Sequence, residues 1–243
     1  MNAPKFLSSG DSAITVEFGN EISAETNACV HALDKALRKK NILGIIETVP
    51  TFRSLLIMYD PCITGGEKLK LKITKLCGDL EASSEGKKRI IEIPVLYGGE
   101  YGEDLKDVAE INKLTEDEVV KIHSGTDYLI YMLGFLPGFA YLGGLDDRIK
   151  TPRLQNPRTK IHAGAVGIGG EQTGIYPLSS PGGWRLIGTT PVKPYDPERD
   201  EPILYSAGDY IRFVPIDKET FDDISAKVQN GTYECRIIGG DGE

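Results

Sequence analysis

The chain has 243 residues, 40% of them apolar, enough for one large or two small domains whose cores need neither disulfides nor metals. With 28 Lys and Arg against 36 Asp and Glu, the formal charge is −8, which argues against nucleic acid or an anionic membrane as partner unless a basic patch exists. The densest basic runs, Arg38-Lys39-Lys40 and Lys87-Lys88-Arg89, are too short to make one.

The first eighty residues keep one rhythm. Ile14, Val16 and Phe18 alternate with Thr15 and Glu17, the period of a half-buried strand. Ser23 suits the N-cap of a helix with Ala28, Cys29, Ala32, Leu33, Ala36 and Leu37 on one face, and Arg38 to Lys40 sit where the helix dipole favours cations. Strands are predicted over 44–49 and 52–59, a second helix over 66–80, and a last strand over 90–95 that either closes this sheet or opens the next domain. Strand, helix, strand, strand, helix, strand is the order of a ferredoxin-like split βαβ unit, and the polar stretch 81–88 reads as a linker. The expected fold class is therefore α+β, with domains over 1–85 and 86–243.

Beyond the linker, short helices are predicted near 104–114 and after Thr115, where Thr115 and Glu118 have capping-box spacing. The stretch from Tyr128 to Leu145 carries no charge, but Pro137-Gly138 at its middle excludes a membrane helix and leaves a buried strand with a tight apolar loop. Short apolar pieces at 165–168, 184–187 and 210–214, set between Gly and Pro signals, predict a β-barrel or sandwich. The N-terminal segment lacks a signal-peptide apolar core, so a cytoplasmic protein is expected.

The four cysteines, Cys29, Cys62, Cys77 and Cys235, have no zinc-ligand spacing and read as spectators, and no metal site is predicted. The stretch from Gly164 to Gly174 has two readings: a backbone cradle for phosphate, or β-turns and close strand packing. It matches neither a Walker motif nor G-x-G-x-x-G. Of the three histidines, His31 reads as solvated on the first helix, His123 as a helix-terminal structural residue or a catalyst, and His162 as a neighbour of whatever the glycine-rich stretch binds. Pro181-Gly182-Gly183 brings the sole tryptophan, Trp184, beside Arg185, which serves either a core or recognition of a small planar amide or carboxylate. Phe135, Phe139 and Tyr141 lie in a loop apolar enough that it must pack inward, line a pocket or meet a partner.

Taken in order, the segments Gly134 to Leu145, Thr151-Pro152-Arg153, Pro157-Arg158, Gly167 to Pro177, Ser180 to Gly188 and Gly208 to Phe213 resemble the 5-oxoprolinase B-subunit family, as does Gly10-Asp11-Ser12-Ala13. That family also includes the sporulation-kinase inhibitor and allophanate hydrolase subunit 1, the latter related to a carboxyltransferase part of urea carboxylase. The chain departs from the family pattern at His162, where proline is common, and at Ala165, where serine is common.

The resemblance implies an N-terminal ferredoxin-like domain, a C-terminal cyclophilin-like β-barrel, and a cytoplasmic subunit that works with a second and a third chain to open 5-oxoproline to glutamate using ATP. It implies no complete active site in this chain alone, which has no phosphate-gripping lysine motif. Within that reading, Arg158 or Arg185 would hold the substrate carboxylate, and Gln172 and Tyr176 would bind the amide. His123 or His162 would move protons, and Phe135, Phe139, Tyr141 and Trp184 would line a pocket or partner groove. The alternatives are an inhibitor that clamps a sporulation histidine kinase and a subunit of urea amidolysis.

Overall fold

The structure is a computed structural model describing residues 4–79 and 88–240. The chain divides into two compact units, residues 1–86 and 87–243. The predicted linker lies, but for Lys88, outside the described residues, as does the helix end predicted at Leu80.

The first unit runs β1 (Lys5–Ser8), β2 (Ala13–Glu17), α1 (Ala24–Lys40), β3 (Ile45–Pro50), β4 (Ser54–Tyr59) and α2 (Gly66–Asp79). Its sheet has the order β1-β2-β4-β3 and is antiparallel throughout. Ser23 caps α1 by accepting a hydrogen bond from the Thr26 N–H, and Asn41 ends it in the left-handed conformation, donating its N–H to the Leu37 and Arg38 carbonyls. Val30, Leu33 and Leu37 of α1 and Leu69, Ile73 and Leu76 of α2 close over Ile14, Val16, Leu55 and Ile57 of the sheet. Each such side chain, fully buried, stabilises by roughly 1.5–3 kcal/mol.

Of the two places open to the strand predicted over 90–95, the structure takes the second: it opens the second unit, and β1, which sequence reasoning missed, lies beside β2. The four residues Lys5, Phe6, Leu7 and Ser8 are too few to carry a period, and only the pairing with β2 makes them a strand.

The second unit runs β5 (Ile90–Tyr97), α3 (Leu105–Asn112), α4 (Glu116–Ser124), β6 (Asp127–Leu133), β7 (Ala140–Gly143), β8 (Arg158–Ile161), β9 (Ala165–Gly169), β10 (Gln172–Ile175), β11 (Ser180–Gly182), β12 (Arg185–Thr189), β13 (Tyr210–Pro215), α5 (Lys218–Gln229) and β14 (Ile237–Ile238). Its main sheet has the order β10-β9-β12-β5-β13-β6-β7, with β14 added to β5. The two ends of the row, β10 and β7, lie against each other, so the sheet is a nearly closed barrel. β5 runs parallel to β13, while β14 pairs with its start and β12 with its end. Pro94, which has no N–H to give a ladder, falls in the gap between those last two pairings.

Ile91, Ile93, Val95, Ile130, Leu142, Val166, Ile168, Ile187 and Phe213 fill the barrel. The capping box of α4 forms as its spacing predicts: the Thr115 side chain accepts from the Glu118 N–H, and the Glu118 carboxylate accepts from the Thr115 N–H. Sequence reasoning missed α5, whose Asp217 cap accepts from the Thr220 N–H at 2.8 Å.

Asn27 offers a direct test of the first unit. It is 1% exposed, and its side-chain amide donates to the Thr51 and Phe52 carbonyls at 3.1 and 3.2 Å, holding α1 to the β3–β4 turn. Asn27→Ala leaves those carbonyls without this donor in a buried place. The expected loss is about 1–3 kcal/mol of unfolding free energy in urea titration, and a loss below about 0.5 kcal/mol contradicts the assignment.

Candidate functional site

The glycine-rich stretch is a strand pair with one face left bare. In β9, Val166 and Ile168 point into the barrel, so Ala165, Gly167 and Gly169 lie on the other face. Gly174 pairs with Gly167 and Gln172 with Gly169, which puts them on that same face. The Trp184 indole occupies the space this provides. A Cβ on Gly169 would lie 2.2 Å from the indole Cδ1, and one on Gly174 would lie 3.2 Å from Cζ3. Gly170, with φ +69°, turns the two-residue hairpin. Strand packing and turn formation thus account for the glycines, and the phosphate-cradle reading has no support in this geometry.

The expected segments converge on that indole. Phe139, Ile161, Ala165, Tyr176, Trp184 and Leu186 form a small core of their own, separate from the barrel interior. Phe139 is its hub, meeting Tyr141 at 5.2 Å, Trp184 at 5.6 Å, Phe135 at 5.7 Å and Tyr176 at 5.8 Å between ring centroids, all edge to face. The expected open pocket is corrected in one respect: Phe139, Tyr176 and Trp184 are buried and Tyr141 half-buried, so Phe135, 67% exposed, is the aromatic ring that faces outward.

Phe135 is held out by its backbone. The Leu136 N–H donates to the Gly134 carbonyl at 2.8 Å across Phe135, whose φ is +67°, which makes a positive-φ γ-turn on a bulky residue. A β-turn follows, closed by the Phe139 N–H on the Leu136 carbonyl, with Pro137 second and Gly138, at φ +77°, third. The Tyr205 hydroxyl donates to the Gly138 carbonyl at 2.8 Å and fixes the turn from below. Such a conformation costs about 1–3 kcal/mol and persists only where its surroundings enforce it.

The polar residues expected at the site are distributed differently. Arg158 pairs with Asp104 at 2.8 Å and Glu103 at 3.1 Å, and Arg185 pairs with Asp107 at 2.9 Å while donating to the Pro152 carbonyl. Both guanidinium groups therefore already hold carboxylates from the start of α3. Asp104 is buried and also accepts the Leu186 N–H at 2.7 Å, locking α3 to β8 and β12. Gln172 is half-buried on the indole face, and burial raises the Tyr176 phenol. Ser180 opens the Ser180 to Gly188 segment but was given no role from the sequence; its hydroxyl is buried and finds no partner among the described residues.

The two histidines differ. His123 is wholly buried against Phe213, stacked at 4.6 Å. The Thr173 hydroxyl donates to the Gly167 carbonyl, so its oxygen accepts from His123 Nε2–H at 2.7 Å, and Nδ1 accepts from the Tyr97 hydroxyl at 2.7 Å. Burial lowers its pKa to about 3, so the ring is neutral and fixed inside the barrel, away from the aromatic site. His162 is exposed; its Nε2–H donates to Thr189, whose own hydroxyl donates to the Tyr101 carbonyl, and burial of the ring lowers its pKa against the opposing effect of Glu103.

Burial pushes the Cys77 and Cys235 thiols up to about 11, the opposite of what a nucleophile needs. No group of three or more metal-ligating side chains comes together among the described residues, and no helix among them is long and apolar enough to cross a membrane.

Comparison with known proteins places this architecture. Residues 4–205 match the family described as carboxyltransferase domain, subdomain C and D. A protein of Bacillus subtilis, named as the B-subunit of 5-oxoprolinase, is 43% identical over 222 residues, 87% of this chain and 92% of its own length. One of the same name from Escherichia coli O157:H7 is 42% identical, covering 85% and 93%. The chain belongs to the 5-oxoprolinase B-subunit family. Among solved structures, TTHA0988 is 37% identical with a TM-score of 0.75 over 84% of this chain, which spans only 40% of that longer chain. The Kluyveromyces lactis urea carboxylase, 21% identical with a TM-score of 0.78 over 98% of this chain and 24% of its own, shares the fold.

Within this member of the oxoprolinase family, two measurements test the geometry. Gly169→Ala drives a methyl group into the indole; it is expected to shift the emission of the single tryptophan to longer wavelength and to cost about 1–3 kcal/mol. Unchanged emission and stability contradict the seat. For His123, the unfolded ring takes up a proton near pH 6.5 and the folded ring only near 3, so the stability held above pH 6.5 is lost as pH falls through that window. A His123→Phe variant, though weaker at pH 7, is expected to lose stability less steeply by up to ~1.4 kcal/mol per pH unit; equal slopes between pH 6.5 and 4 contradict the neutral buried ring.

Proposed function

We propose that the chain is one subunit of an ATP-dependent 5-oxoprolinase that opens 5-oxo-L-proline to L-glutamate and has no complete active site of its own. The observation that carries this reading is the 42–45% identity to proteins named as 5-oxoprolinase B-subunits, reaching 87% of the chain. In this reading the first unit is a ferredoxin-like sheet with one edge supplied by β1, and the second is a cyclophilin-like barrel. A second and a third subunit complete the enzyme, which works in the cytoplasm.

The reaction adds one water across the lactam C–N bond, its hydroxyl going to the carbonyl carbon and a proton to the nitrogen. The glycine-rich stretch of this chain does not fit a triphosphate, because the Trp184 indole fills it, so ATP is assigned to the partner subunits. What this chain contributes is a surface. Gln172, on the indole face, offers an amide to a planar lactam; Phe135 and Tyr141 offer apolar ring edges; and His162, reachable from solvent, is the better placed of the two candidate histidines to exchange a proton.

The test is reconstitution. Glutamate release from 5-oxo-L-proline is expected only when ATP and all three subunits are present. Turnover by this chain alone, or none by the full set, contradicts the reading. Turnover of urea instead would favour urea amidolysis, and inhibition of a sensor kinase without any turnover would favour the inhibitor.

A further inference from the structure

We propose that Arg153, lying over Trp184, is a carboxylate-binding residue on the outer face of the aromatic site. Its guanidinium carbon sits 5.9 Å from the indole centroid, on a ring that is itself 5% exposed. The cation therefore forms the outer cover of an otherwise buried aromatic group.

Three features set Arg153 apart from its neighbours. The first is charge. Arg158 holds Asp104 and Glu103, Arg185 holds Asp107, Arg148 holds Asp146, and Lys150 holds Asp147 and Glu171. No carboxylate of the described residues pairs with Arg153. Its positive charge and its five N–H donors thus remain available on an exposed side chain.

The second is rigidity of the supporting backbone. Thr151 exchanges both hydrogen bonds with Gly170 at the hairpin tip, and its hydroxyl accepts from the Asn112 side chain. The Pro152 carbonyl accepts from Arg185, and the Leu154 N–H donates to the Gly183 carbonyl at 2.7 Å. The residues on both sides of Arg153 are pinned, while its guanidinium N–H groups find no acceptor among the described residues, as a group meant to receive a ligand is held.

The third is what lies beside it. The backbone pins place Arg153 between the β9–β10 tip and the turn that delivers Trp184, and Gln172 shares the indole face. A guanidinium fork with an amide nearby suits a small molecule that carries a carboxylate and a flat amide. Naming that molecule as 5-oxo-L-proline rests on the oxoprolinase reading; the carboxylate site itself does not.

The sole tryptophan makes the site directly observable. Titration of the purified chain with 5-oxo-L-proline is expected to change Trp184 emission saturably, whereas 2-pyrrolidinone, the same lactam without the carboxylate, is expected to leave it unchanged. Arg153→Gln should weaken the response at least about ten-fold, and Arg153→Lys should restore part of it. In the reconstituted complex, Arg153→Gln should raise KM by a similar factor while kcat stays within about two-fold.

A wild-type complex without turnover sinks the oxoprolinase reading and leaves the carboxylate site to the emission titration, repeated with acetate and glutarate. A response or a KM that Arg153→Gln does not move, or no response to any carboxylate together with no KM change, overturns the assignment of Arg153.

Discussion

A strand that carries glycine at alternate positions presents backbone where other strands present side chains, and a flat ring can then lie directly on the sheet. Gly167, Gly169 and Gly174 make such a face on the outside of the barrel, and Trp184 lies on it. The arrangement around the site follows from that contact. The turn at Gly182-Gly183 has to deliver the indole, Phe139 has to meet its edge, and the 151–154 segment has to bond both to the hairpin tip and to the turn. A methyl group on Gly169 would collide with the centre of this arrangement, which is why residues distant in sequence come to depend on the absence of one side chain.

Five charged residues of the second unit, Glu103, Asp104, Asp107, Arg158 and Arg185, brace the same assembly. The start of α3 supplies Asp104 and Asp107, which neutralise Arg158 and Arg185 and fix the helix to β8 and β12. Asp104, buried and held by both Arg158 and the Leu186 N–H, is costly to unpair, so Arg158 braces the helix against the sheet, whereas the Asp107 partner of Arg185 is largely exposed. His123 has a comparable role inside the barrel, where a neutral ring links Tyr97 to Thr173 without carrying charge. The framework leaves three groups unconsumed: Phe135 on its strained turn, Gln172 on the glycine face, and Arg153 above the indole.

Much of this was legible in the sequence, and the limits have physical causes. The Ser23 cap, the Thr115–Glu118 box and the alternation of β2 rest on local chemistry, which a sequence displays directly. The convergence of the 134–141 loop, Tyr176 and Trp184 could be anticipated from their composition, because so many rings cannot remain in water. The place of the 90–95 strand could not, since its apolar run suits the interior of either unit and only its parallel partner 120 residues later decides. Nor could the state of the arginines. Arg153, Arg158 and Arg185 are alike in sequence, and which of them is neutralised depends on acids from a helix some fifty to eighty residues earlier. The glycines from Ala165 to Gly174 were readable as turns and close strand packing, but that their bare face seats the Trp184 indole was not, because only the tertiary contact shows it.

The measurement that bears most directly on this account is acrylamide quenching of the intrinsic fluorescence of the unmodified protein, which reports on one residue because there is one tryptophan. An indole seated on the glycine face and walled by Phe139 and Tyr176 is expected to emit at short wavelength and to resist the quencher until the protein unfolds. Emission of a hydrated indole, quenched as readily as free tryptophan in buffer, would mean that Trp184 does not lie on β9 and β10 and would remove the basis for the site.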